Sequence, residues 1–228
     1  MFDPDTSAAN IPGGAAPGVA YPGYLWIDRG GVVRERYLDG SYDDRRTAAS
    51  VIGALFPALL SKESRTLAAP HATLALAQSD REIVPGNRIV LALELVLPEG
   101  MHVYAREARG YRPIELALEP SPTWTLAPVR YPTAETLKVA QLGEEIPVHT
   151  GRVALRVEAA LVVDPALLRT LETSPEQRTT LHIKGVLRYQ ACDASQCFPP
   201  CEVPVAWDIA VHALDFERTD PFLRKPPK

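Results

Sequence analysis

The sequence predicts a mainly β protein, an antiparallel β-sandwich preceded by a short hairpin-plus-helix segment. Three observations carry that expectation. From Thr73 onward, apolar and polar residues alternate over several strand-length runs, the period of a half-buried strand. The 22 prolines among 228 residues favour turns and short strands over long helices. Before Thr73 the pattern differs, with Gly-Pro punctuation first and apolar residues at helical spacing afterwards.

Residues 1–23 contain Ile11-Pro-Gly-Gly, Pro17-Gly and Tyr21-Pro-Gly23 and read as loop. Tyr24–Asp28 reads as a strand, Arg29-Gly-Gly31 as a turn and Val32–Tyr37 as a second strand. A helix follows the start signals at Ser41–Asp44, with Ala48, Val51, Ile52, Leu55 and Leu59 on one face, and Pro57 ends or kinks it. Ser61–Pro70 reads as a linker. Thr73–Ala77 then alternates, and Ile89, Leu91, Leu93, Leu95 and Leu97 line one face of a long strand that stops at Pro98-Glu-Gly100.

Met101–Tyr104, Ile114–Leu118 and Thr123–Val129 follow as strands. Arg152–Val163 places Val153, Leu155, Val157, Ala159 and Leu161 on one face. Asp164-Pro165 starts a short helix to about Leu171, with Asp as N-cap and Pro at the first position. Thr179–Cys192 and Glu202–His212 close the pattern. Many short alternating strands at this spacing predict an immunoglobulin-like sandwich. The usual Cys, Trp and distant Cys of that fold are missing, so the cysteines are not its core bridge. The expected division is 1–62 for the hairpin and helix, 66–215 for the sandwich and 216–228 for a tail.

Composition excludes some functions. A formal net charge of −4 and the lack of a Lys/Arg-rich run argue against a nucleic-acid partner. The longest uncharged apolar stretch, Thr47–Ser61, is too short to span a bilayer and contains Pro57, so no membrane span is expected. The first residues, Met-Phe-Asp-Pro-Asp, do not read as a signal peptide. No Ser/His/Asp constellation, phosphate loop or carboxylate pair stands out. His71, His102 and His149 are isolated in sequence and read as surface or turn residues.

The chemistry concentrates between Leu187 and Pro200, where two of the three cysteines stand between two strand-like runs. Opposed residues of a non-hydrogen-bonded antiparallel pair have Cα atoms about 4.5 Å apart, within the range of a disulfide, so a Cys192–Cys197 bond is geometrically reasonable. It would be a poor staple. Chain entropy gives about 2 kcal/mol for so small a loop, against almost 5 for a loop of roughly 100 residues. A short disulfide at a hairpin tip suits exchange with an incoming thiolate better. The alternative is a structural bond in a non-catalytic interaction module.

Strand parity puts Leu181, Ile183, Leu187, Tyr189 and Ala191 on one face. Cys192 then falls on the other, off the main core and reachable by a partner. Asp193, beside it, would tend to raise a thiol pKa. Cys201 reads as a half-buried small residue, with an alternative disulfide to Cys197 open. A metal site recruiting the three cysteines and His182 or His212 has no standard zinc spacing, so no metal is expected.

Tyr189-Gln190-Ala191-Cys192, four residues, then Cys197-Phe198-Pro199-Pro200 resembles the active-site signature of the N-terminal periplasmic domain of the thiol:disulfide interchange protein DsbD. The similarity extends more weakly from about Thr66 to Asp215. It implies a protein-disulfide reductase activity with Cys192 and Cys197 as the reacting pair, Cys197 forming the mixed disulfide and Cys192 resolving it. It implies no cofactor beyond that disulfide. The implied partners are a thioredoxin-like or membrane electron donor and oxidised periplasmic thiol proteins as acceptors, and the implied location is the periplasm.

Supporting roles fall to Tyr189, Gln190, Asp193, Phe198 and Pro199. The family's cap loop corresponds by chain order to about Gln141–His149. No aromatic lies between Lys138 and Gly151, so Glu144, Glu145 and Ile146 are the cap candidates, with Tyr104 as the aromatic contributor. Gly18–Phe56 is similar to the last third of a redoxin-type thioredoxin fold, on Tyr21-Pro-Gly, Leu25-Trp-Ile-Asp28, Gly31-Val-Val and Arg46-Thr-Ala-Ala-Ser50. Tyr21-Pro22 would be that fold's cis-proline position. No Cys precedes residue 192, so that piece has no thiol chemistry of its own.

Overall fold

The computed structural model describes residues 23–40, 44–57, 59–60, 64–139 and 144–214. β1 (Gly23–Ile27) and β2 (Val33–Leu38) pair antiparallel as a separate two-stranded sheet. Asp28 shapes the turn, its carboxylate accepting from the backbone N–H groups of Gly30 and Val32 and from the Arg34 guanidinium. A two-residue strand, β3 (Arg45–Arg46), precedes α1 (Ala48–Leu55). The helix starts later than its expected signals because Thr47 is the cap, its Oγ1 accepting from the Ser50 N–H at 2.9 Å. It ends at Phe56, before Pro57, as the proline requires. Tyr21-Pro22 and Ser41–Asp43 lie outside the described residues.

The linker expectation needs correction. Arg65–Ala69 is a strand, β4, turned at Pro70-His71 onto β5 (Ala72–Gln78). Its Leu67 and Ala69 pack against the main core. Two apolar contacts in five residues are too few to announce a strand from sequence; the ladder to β5 makes it one. Then come β6 (Glu82–Ile83), β7 (Asn87–Val96), β8 (His102–Tyr104), β9 (Glu115–Leu118) and β10 (Trp124–Leu126). β11 (Glu135–Val139) and β12 (Glu144–Thr150) form a hairpin followed by β13 (Arg152–Leu161). α2 (Pro165–Thr173) is capped as expected, the Asp164 carboxylate accepting from the Leu167 N–H with Pro165 in the first turn. β14 (Arg178–Tyr189), β15 (Ala191–Cys192) and β16 (Cys201–His212) complete the chain.

The result is an antiparallel, immunoglobulin-like β-sandwich. One sheet runs β10-β13-β7-β5-β4, with β3 added in parallel to β7. The opposing strands form β6-β16-β14-β9, and a further sheet runs β11-β12-β8-β15. The alternating faces of β7, β13, β14 and β16 meet in one core. Gly185 lets β9 lie against β14, because a Cβ there would come within 2.5 Å of the Ala117 carbonyl oxygen.

β7 is buried on both faces at Val90, which explains its nearly continuous apolar run. Leu60 and Ala54, from α1 and the turn after it, cover Val90 and Ala77 on the outside of the sheet. Arg46 pairs with Asp39 and Glu158, and Arg88 pairs with Asp44 and Glu158, tying this N-terminal segment to the sandwich. Among the described residues, no helix is long and apolar enough to cross a membrane.

Candidate redox site

The hairpin between β14 and β16 leaves its long ladder after Tyr189. β15 swings across to pair with β8, placing Ala191 opposite Val103 and Cys192 opposite His102. Cys192 is thus on the edge strand of the β11-β12-β8-β15 sheet. The chain turns through Asp193–Gln196 and returns so that Cys197 faces Cys192, and the two are disulfide-bonded with Cα atoms 4.0 Å apart. The turn is closed by its own polar groups. Asp193 N–H donates to the Gln196 carbonyl, and one Asp193 carboxylate oxygen accepts from the Ser195 N–H, the Ser195 hydroxyl and the Gln196 N–H. Those hydrogen bonds, the Ser195 side chain foremost, hold the Asp193 carboxyl below its ordinary pKa.

Two further bonds clamp the returning strand. Phe198 N–H donates to the Ala191 carbonyl, and the Gln190 side-chain amide donates to the Phe198 carbonyl at 2.9 Å. Tyr189 lies in the main core, with its hydroxyl donating to the Pro70 carbonyl at 2.6 Å. The Phe198 ring stacks on His71, 3.9 Å between centroids. The β4–β5 turn therefore braces the base of the hairpin from a remote part of the sequence. Pro199 and Pro200 are exposed.

The two cysteines differ sharply in exposure. Cys197 is exposed, whereas Cys192 is 1 % exposed. This corrects the expectation that a partner reaches Cys192. Parity did take its side chain away from the main core, but a second small cluster of Tyr104, Ala108, Ile146 and Val148 covers that other face. The expected cap region is also different in kind. Residues 144–150 are strand β12, paired to β8 and β11, while residues 140–143 lie outside the described set. Glu144 and Glu145 are exposed; Glu145 pairs with Lys138 across the hairpin, and Ile146 is buried in the cluster with Cys192.

The structure brings Tyr104 to the disulfide, its hydroxyl 3.3 Å from Cys197 Sγ. A disulfide sulfur carries no proton, so the phenol is the donor. Burial pushes the Tyr104 pKa up, which keeps that proton in place. Tyr111, which sequence reasoning missed, stacks on Tyr104 at 4.4 Å and donates to the Glu144 carboxylate at 3.0 Å. No periodicity links Tyr111 to Tyr104; the turns between them do. His102 and His149, read as surface residues, are 8 % and 4 % exposed on adjacent strands. Burial lowers both of their pKa values.

Cys201 is the free thiol. It is half-buried against the main core, donates to the Tyr189 carbonyl at 3.4 Å, and burial raises its pKa. His182 is engaged with Asp208.

Tyr104→Phe removes the hydroxyl that donates to Cys197 Sγ. In the reduced chain this is expected to raise the Cys197 thiol pKa and slow its reaction with an aromatic disulfide at neutral pH roughly fivefold, for a bond worth about 1 kcal/mol. Stopped-flow thiol titration of both proteins checks this, and equal rates and pKa values would assign Tyr104 to packing alone.

A small-loop disulfide with one open and one covered sulfur, set at a sheet edge, defines a β-sandwich of the thiol–disulfide exchange class. Residues 73–205 match the family model for the N-terminal region of thiol:disulfide interchange protein DsbD, more than half of the chain. The chain belongs to that family.

Solved structures similar to it include the N-terminal periplasmic domain of ScsB from Proteus mirabilis, at 16% identity and TM-score 0.40. That match covers 63% of this chain and 49% of that one, so the chain spans about half the length of that relative. The reduced DsbD N-terminal domain of Neisseria meningitidis matches at 17% identity and TM-score 0.33, covering 54% and 80% of the two chains. The complex between the DsbD and PilB N-terminal domains of the same species matches at 13% and 0.33, covering 63% and 79%. No curated protein matches in sequence.

Proposed function

We propose that the chain carries out thiol–disulfide interchange in the periplasm, accepting reducing equivalents from a thioredoxin-like or membrane donor and passing them to oxidised thiol proteins. The observation that carries this is the unequal pair, an exposed Cys197 bonded to a buried Cys192. A donor thiolate attacks Cys197 Sγ, the Cys192–Cys197 bond breaks, and Cys192 leaves with the electron pair. A second donor thiol then attacks the mixed disulfide and leaves both cysteines reduced. In the forward direction the Cys197 thiolate attacks an acceptor disulfide, and Cys192 closes on Cys197 to release the reduced acceptor. No other cofactor enters.

Family membership supports the reaction class, and the complex with a PilB N-terminal domain supports a protein partner of that kind. The β1–β2 hairpin and α1, in that order, support reading the N-terminal segment as the last part of a redoxin-type fold attached to the 66–215 sandwich.

Titration of the full chain against glutathione redox buffers tests the reading, with the thiols counted by alkylation and mass spectrometry. A reversible two-electron couple at Cys192/Cys197 is expected. A bond that stays closed at the potentials of ordinary thioredoxin-class proteins would make it a structural disulfide and refute the proposal.

A further inference from the structure

We infer that His102 is the proton acceptor for the resolving thiol, readying Cys192 to attack the mixed disulfide at Cys197. This rests on the exchange reaction proposed above. The geometry comes from register. Cys192 and His102 are directly opposed on β15 and β8. Directly opposed residues project to the same face, with Cβ atoms about 4.5–5.5 Å apart. Val103 and Ala191, the alternate pair, enter the main core, so His102, Tyr104 and Cys192 share the other face. The His102 ring stands edge-on to Tyr104, 5.6 Å between centroids, and Tyr104 reaches Cys197. His102 thus shares with Cys192 the face that carries the disulfide.

The chemistry needs such a group. A thiol buried in apolar surroundings resists ionisation, and at 1 % exposure Cys192 cannot hand its proton to bulk water. The neighbouring titratable groups leave few candidates. Tyr104 holds its own proton and donates it to Cys197. Tyr111 donates to Glu144. Asp193 is committed to the turn through three accepted hydrogen bonds. On β12, Thr150 faces His102 and donates to the Glu135 carboxylate. Burial lowers the His102 pKa and so favours the neutral imidazole, and the Asp193 charge acts in the opposite sense, favouring the imidazolium once a proton arrives. A neutral imidazole with a nearby carboxylate is suited to accept a proton transiently.

In the step itself, the Cys192 S–H proton passes to His102. The Cys192 thiolate attacks Cys197 Sγ of the mixed disulfide and the Cys192–Cys197 bond forms. The Cys197–partner bond breaks, and the partner sulfur leaves as a thiolate carrying the electron pair. The protein disulfide being reduced is the oxidant, and His102 returns its proton to solvent or to that thiolate.

The test uses the reduced full chain with an aromatic disulfide that releases a coloured thiolate. The first release reports mixed-disulfide formation at Cys197, and the second reports resolution by Cys192. In His102→Gln and His102→Asn the second phase is expected to slow on the order of tenfold to a hundredfold near pH 7, with the first phase unchanged. The inflection that His102 gives the wild-type second-phase pH profile should vanish.

An independent check on the histidine itself uses NMR titration of the His102 ring in the reduced wild-type chain and in Cys192→Ser. A shift in its apparent pKa on loss of the thiol is expected. An unchanged second phase in the substituted chains, or identical ring titrations, would overturn the inference. Absence of any second phase in the wild type would instead refute the exchange reaction on which it rests.

Discussion

Replacing Cys192 by serine is expected to turn the chain into a trap for its partners, while replacing Cys197 by serine abolishes capture. Exchange begins at the sulfur an incoming thiolate can reach, and that is the exposed Cys197. With Cys192 gone, a mixed disulfide at Cys197 has no neighbouring thiol to displace it, so it persists. With Cys197 gone, the remaining sulfur of the pair is 1 % exposed beneath Tyr104, Ile146 and Val148, and capture requires the cluster to open.

Cys201 does not rescue Cys197→Ser. Its thiol is half-buried, held by the Tyr189 carbonyl, and less acidic than an ordinary thiol. The measurement is non-reducing electrophoresis with mass spectrometry of adducts to a thioredoxin-class protein whose active-site cysteine carries an aromatic thiol as a mixed disulfide, the aromatic thiolate being the leaving group. Cys192→Ser and Cys192→Ser/Cys201→Ser should accumulate the adduct alike. Equal capture by Cys197→Ser would place the entry point elsewhere.

Trp207→Ala is expected to give the largest loss of stability of any single substitution away from the cysteines, about 3–5 kcal/mol. Trp207 is 3 % exposed on β16, and its indole N–H donates to the Ala77 carbonyl on β5 at 3.0 Å. One side chain therefore fills the space between the two main sheets and satisfies a carbonyl of the opposing one. Alanine leaves a cavity that β-sheets cannot readily collapse, and it leaves that carbonyl without the indole.

Trp207→Phe separates the two effects. It keeps most of the volume and loses the hydrogen bond, so a cost of roughly 1–2 kcal/mol is expected. Denaturant titration of both variants measures the difference. With domains of this kind stable by about 5–15 kcal/mol, the alanine variant should show a clearly lowered midpoint, and a loss under about 1 kcal/mol would mean the sheets close without it.

Much of this architecture is legible in the sequence because it is local. Alternation in β7, β13, β14 and β16 names the faces that meet in the core, and Asp164-Pro165 starts α2 where the cap chemistry puts it. The Tyr189–Pro200 stretch announces two cysteines on a hairpin and, by resemblance, a redox family. What sequence parity supplies is the side of the strand on which a residue stands. It does not say what lies over that side.

For Cys192 the answer came from β8 and β12, about 90 and 45 residues upstream in a chain whose strand pairing follows from loop closure and burial rather than from local pattern. That register converted an expected open thiol into a covered one. It made residues 144–149 of the expected Gln141–His149 cap region part of a strand, brought the Tyr104 hydroxyl to Cys197, stacked Tyr111 behind it, and set His102 opposite Cys192. The sequence by itself determined the long alternating strands, their apolar faces and the pair of sulfurs. Only the tertiary structure decided which sulfur faces solvent, because accessibility is a property of the elements packed over a face and not of the strand that carries it.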